Sequence, residues 1–178
     1  MRKAAQVAAF FALKQGGEIN VLKLTKLIYL ADRRFMQKFD APLLGDELVS
    51  MDHGPVNSMT YDCINGSQAD RADWNQFITD RLAYSIGVAS PAVTIARLDE
   101  LSRADTEVLE ETWASFGHMT KYEIRDYTHR NCPEWEDPHG SSTPIPYERV
   151  FKYLAKSDAA ELAENVQQER ALSRALAA

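Results

Sequence analysis

The chain is poor in every feature that marks a secreted, membrane-spanning or cofactor-binding protein. Two cysteines, Cys63 and Cys132, in 178 residues fall far short of a disulfide-stapled scaffold and fit a reducing compartment. No uninterrupted apolar stretch approaches the roughly 20 residues that span a bilayer, and no segment stands out as a helix lying on a membrane surface. Met1-Arg2-Lys3 and the apolar run to Leu13 have the outline of a signal peptide, but Gln6 interrupts the run and Gly16-Gly17-Glu18 is a poor cleavage site. A cytoplasmic protein is expected. Walker loops, dinucleotide fingerprints and HExxH pairs are also missing.

What is present is globular. The sequence is 45% hydrophobic and 26% charged, with ordinary glycine and proline content, which supports one compact domain with a sizeable core. We expect a single domain over residues 1–156 and an Ala-rich helical tail over 157–178. The net charge of −6 is unevenly spread: residues 1–39 carry eight of the 20 lysines and arginines against Glu18 and Asp32, a balance of +6, leaving −12 for the remainder. Such a split points to an oriented protein-binding surface more than to uniform nucleic-acid binding.

The pattern predicts a helix over residues 2–15, stopped by Gly16-Gly17, and a second over 20–38 with Asn20 as N-cap. On that second helix Val21, Leu24, Leu27, Ile28, Ala31 and Phe35 form an apolar stripe, while Lys23, Lys26, Arg33, Arg34 and Lys38 gather on another face. A short strand is expected over 47–52. His53-Gly54-Pro55 reads as a rigid strand-to-helix corner before a helix over 56–64. Alternation at Leu82, Tyr84, Ile86 and Val88, then Val93-Thr94-Ile95, predicts a hairpin. Ser102 with Asp105 and Thr120 with Glu123 are capping boxes opening two further helices, Gly117 is the expected C-cap of the first of these, and another helix starts near Pro146. Leu162 and Val166 are the firm apolar anchors of the tail before Leu172 and Leu176, so the tail is expected to dock weakly or protrude. The fold class is mainly α, a single helical domain with a small antiparallel β element.

Few constellations carry chemistry. His129 and Cys132 are spaced H-x-x-C, with Cys63, His118 and His139 elsewhere, but structural zinc sites pair their ligands at both ends; we expect no metal and no cofactor. Cys63 lacks the strained elbow of a nucleophile, so no catalytic residue is assigned and the protein is expected not to be an enzyme. The basic face of the second helix, with Tyr29 nearby, offers phosphate contacts, but the acidic remainder opposes a nucleic-acid backbone and an acidic protein partner fits better. A DNA-binding regulator and a hydrolase built on Cys63, His129 and Cys132 stay open as alternatives.

One resemblance sharpens this reading. Lys23-Leu24-Thr25-Lys26-Leu27-Ile28-Tyr29-Leu30-Ala31-Asp32, then Pro42-Leu43, His53-Gly54-Pro55-Val56 and Tyr61, resemble the opening of the Panacea domain; Leu109, Trp113, Thr128-His129 and Pro133-Glu134-Trp135 look like its second half. The likeness covers roughly residues 5–155. It implies a mostly helical antitoxin that neutralises a cognate protein toxin by contact, or, as in SocA-like members, an adaptor that delivers the toxin to the ClpX unfoldase of the ClpXP protease. The expected toxin contacts are Lys23, Lys26, Arg33, Arg34, His53 and Val56, while Trp113, His129 and Trp135 hold the fold. Leu176, Ala177 and Ala178 resemble the Leu-Ala-Ala ending of degradation tags and form an expected protease-facing tail. The tail beyond about Ser157 is an addition to a minimal domain of this kind, and neutralisation by direct sequestration without proteolysis is the alternative.

Overall fold

The computed structural model describes residues 1–68 and 71–176. As expected, these form a mainly helical fold with small antiparallel sheets. At its centre is α1 (Arg2–Lys14), buried at every position from Ala4 to Ala12; its alanines let neighbours close in on all sides. Gln6, inside this run, donates to Asp99 Oδ1 at 2.6 Å and accepts from the Glu100 amide at 2.8 Å, which offsets its desolvation.

Gly16-Gly17 turns the chain into β1 (Glu18–Asn20). The Asn20 side chain then accepts from the amides of Leu22 and Lys23 and starts α2 (Val21–Phe39). Asp40, left-handed at φ 59°, ends it. A hairpin of β2 (Leu48–Met51) and β3 (Gly54–Asn57) follows, then α3 (Ser58–Asn65), the short α4 (Ala72–Asn75) and β4 (Ser85–Gly87). Both capping boxes form as expected: Ser102 with Asp105 opens α5 (Arg103–Phe116), and Thr120 with Glu123 opens α6 (Lys121–Asn131). β5 (Thr143–Pro144) joins the free edge of β2, and α7 (Tyr147–Tyr153) and α8 (Ala159–Leu176) complete the order. α7 packs on α8, and α2 packs on α5 and α6.

Three expectations are corrected. The strand at 85–87 pairs with β1, placing Ile86 against Ile19, rather than with residues 93–95, which lead into a 3-10 turn at Ile95–Arg97. His53-Gly54-Pro55 is a hairpin turn and strand start rather than a helix start; Pro55 sits on an edge strand, where its missing N–H costs no ladder bond. Helix α3 therefore begins at Ser58, and its first amides are held by Asp46, which accepts from Met59 N, Thr60 N and Thr60 Oγ1 at 2.7–2.9 Å. Gly117 is the C-cap of α5, as expected, with right-handed geometry; its lack of a side chain serves the Trp113 ring, which a Cβ would meet at 2.6 Å.

Helix α8 docks with its first half. Leu162, Ala163 and Val166 are buried, and Arg170 and Arg174 both reach Glu47 at 2.8 and 2.9 Å. Leu172 and Leu176 are exposed. Ala177 and Ala178, the rest of the expected protease-facing tail, lie outside the described residues.

Candidate functional site

The charge split is largely used up inside the molecule. Arg2 pairs with Asp99 and Glu100, Lys3 with Asp105, Lys14 with Glu110, and Lys38 with Glu107 and Glu111. The positive excess of α1 and α2 thus faces the acids on and just before α5 instead of forming one partner surface.

The basic stripe of α2 is correspondingly divided. Lys23 is buried, donating to Gln15 Oε1 and to the Gly117 carbonyl at 2.7 Å, with its ammonium 5.3 Å from the Trp113 ring. Arg33 binds Glu134 at 2.6 Å, Arg34 reaches Ser115 at 3.0 Å, and the Lys26 side chain is 1% exposed. The face expected to meet a toxin or a phosphate backbone is therefore mostly packing surface. The amphipathic pattern misread it because long lysine stems bury well when the amine finds a carbonyl.

Lys26 ends beneath the hairpin, where its Nζ donates to the Pro55 carbonyl at 2.8 Å. Burial pushes its pKa down to about 7. The hairpin is fastened from two further directions. Asn57 Nδ2 donates to Asp32 Oδ2 at 2.7 Å, while Asp32 Oδ1 accepts from the Leu43 and Leu44 amides at 2.6 and 3.3 Å; burial raises the Asp32 carboxyl to about 6 against these bonds. On the other side Gly54, at φ 96°, lies so close to α6 that a Cβ would meet Thr128 Oγ1 at 2.8 Å and the His129 ring at 3.2 Å. His129 stacks on Trp135 at 4.1 Å and 4°, and Trp135 Nε1 donates to the Met51 carbonyl. Glu134, fully buried, accepts from Tyr29 and Arg33 and secures the segment that carries Trp135. His129 and Trp135 thus hold the fold, as expected, and Trp113 packs against the core.

Above Lys26 opens a cavity of about 750 Å3. Its walls come from the start of α2, the hairpin turn, the 81–84 turn, the start of α6 and residues 140–142. Lys26, His53 and Val56, three of the six expected contact residues, line it; Lys23, Arg33 and Arg34 do not. His53 is exposed, whereas Val56 is buried at 3% exposure and contributes wall rather than projecting surface. Residues not expected at a contact surface complete it: Tyr61, Arg81, Tyr84, Lys121 and Tyr122. The mixture of lysine, arginine and tyrosine from four segments carries no local spacing signal.

The cysteines take no part. Both are buried and unpaired, and burial raises both thiols, Cys132 to about 12. That is the opposite of an activated nucleophile. Among the described residues no group of three His, Cys, Asp or Glu side chains is placed to hold a metal, and no helix is long and apolar enough to cross a membrane.

The family model for the SocA-like antitoxin, Panacea domain, matches residues 24–136. The chain belongs to this antitoxin family. No curated protein and no solved structure gives a match. The matched Panacea segment runs from within α2 through the hairpin, α5 and α6 to the Glu134-Trp135 segment, so it contains the whole Lys26–hairpin–His129 lock. Helices α1, α7 and α8 lie outside it. Membership in an antitoxin family implies a cognate toxin as partner.

Proposed function

We propose that this protein neutralises its toxin by binding it over the cavity between the hairpin turn, the 81–84 turn and the start of α6, without catalysing a reaction. The observation that carries this reading is the concentration of exposed large side chains there: Tyr84 and Tyr122 line the cavity at 71% and 55% exposure, and Leu82, two residues before Tyr84, is 82% exposed. Exposed aromatic and aliphatic side chains next to a concave, charged pocket are the usual anchors of a protein interface.

The second step of the proposal is delivery of the bound toxin to ClpXP in the cytoplasm. It is supported by the SocA-like character of the family and by the apolar end of α8, where Leu172 and Leu176 stand 61% and 80% exposed, an end an unfoldase can grip. A DNA-binding role through α2 has less support, since Lys23 and Lys26 are buried and Arg33 and Lys38 are paired.

The experiment is co-expression with the product of the adjoining reading frame in cells with and without ClpX. Growth rescue with ClpX and toxin accumulation without it supports the adaptor. Rescue in both strains supports sequestration alone, and no rescue in either contradicts the antitoxin reading.

A further inference from the structure

The cavity holds positive charge that the protein itself leaves unanswered. Among the described residues most exposed basic side chains near acids are paired, and 26 acidic residues are present in the chain. Yet Lys26 bonds only the Pro55 carbonyl, Arg81 bonds the Ala83 carbonyl and Asn65 Oδ1, and Lys121 contacts only the faces of Tyr84 and Tyr122, at 5.9 and 5.0 Å. Among the described residues none of the three has a carboxylate within ion-pair distance, although all three line the same cavity. The acid on its wall, Asp52, accepts from the Gly140 amide.

A buried ammonium with one neutral partner is costly, because hydration is lost and no opposite charge replaces it. Burial has already drawn the Lys26 pKa down to about 7; an anion placed against it would return the proton. The aromatic lining adds a second requirement: Tyr84 and Tyr122 offer exposed ring surface beside the cations, which suits flat or apolar side chains next to the negative group.

We propose that the cavity is a carboxylate-accepting subsite, into which the toxin inserts a Glu or Asp side chain that pairs with Lys26, Arg81 and Lys121 while apolar neighbours in the same segment rest on Leu82, Tyr84 and Tyr122. This rests on the cavity being the toxin-docking surface and adds the chemistry of the segment it accepts. Charge complementarity selects this occupant: in an acidic protein, a concave site lined by unpaired cations and tyrosines favours an acidic, apolar-flanked peptide and repels a basic one.

The test measures binding of the product of the adjoining reading frame to the full-length protein, to Lys26→Met, and to Arg81→Glu and Lys121→Glu. The last two alter side chains outside the core, so they remain informative if Lys26→Met fails to fold, as thermal melting would reveal. Expected is a loss of affinity of at least about tenfold in each folded variant, a weaker salt dependence of the residual binding, and recovery of affinity for Lys121→Glu when one acidic residue of the toxin is exchanged for lysine. Wild-type binding with every variant unchanged would overturn the subsite and leave the antitoxin reading standing. Absence of wild-type binding would overturn both. Competition by ADP, with no effect of neutralising any acidic residue of the toxin, would overturn the peptide and assign the cavity to a small phosphate-bearing ligand.

Discussion

Replacing Lys26 with methionine removes the amine and keeps the apolar stem, so it isolates the buried charge. In the fold Lys26 is held at about 7, against an ordinary value of 10.5. Between those two pH values the unfolded chain binds nearly one proton more than the fold at this site, and stability contributed by Lys26 rises with pH. The full slope is about 1.4 kcal/mol per pH unit, reduced near pH 7 where the folded lysine is half protonated. From pH 7 to about pH 8.5 the wild type should therefore gain roughly 1–2 kcal/mol relative to Lys26→Met, a relative shift of several degrees in Tm for a chain of this size. Urea melts of both proteins at the two pH values give the difference, and groups common to both cancel. Cys132, raised to about 12, would act in the opposite direction only at higher pH. Parallel stability curves would mean that Lys26 keeps its proton in the fold, and the account of a desolvated amine would fail.

Further substitutions probe the lock around the hairpin. Gly54→Ala should cost more than about 2 kcal/mol in chemical denaturation, combining a positive φ with the clash at Thr128; Gly140→Ala, also at positive φ but with nothing within 4 Å, should cost about 1 kcal/mol. Glu134→Ala strands the buried Tyr29 hydroxyl and the Arg33 guanidinium and should destabilise by about 3–5 kcal/mol. Arg170→Ala with Arg174→Ala breaks an exposed pair of contacts to Glu47 and should cost less than about 1 kcal/mol, an effect that high salt erases.

The helix starts were legible because they are written locally. Asn20, Ser102 with Asp105, and Thr120 with Glu123 each satisfy amides within three residues, and each cap forms. The sheets were not, because their partners are distant: β1 is three residues long and finds β4 across the whole hairpin and α3 region, and β5 joins β2 through two residues, one of them proline. Alternation at 82–88 announced a strand but gave it the wrong partner, residues 93–95 in place of β1. The His53-Gly54-Pro55-Val56 corner was visible as rigid, but the need for Gly54 arises from α6, far along the chain.

The candidate site divides in the same way. Lys23 and Lys26 sit one turn apart on one side of α2 and look alike on a helical wheel, yet only Lys26 lies on the cavity wall, while Lys23 closes over Gly117 and Trp113. Burial depends on which element covers each turn, and periodicity along one helix does not contain that. Arg81, Lys121 and the three tyrosines come together only through the folding of three separate segments.

The most direct test is amide hydrogen exchange of the protein alone and bound to its toxin. Toxin docking at the cavity predicts new protection at residues 51–57, 81–85, 121–125 and 140–142. Protection confined to α8 and residues 42–46, with the cavity segments exchanging as before, would contradict it.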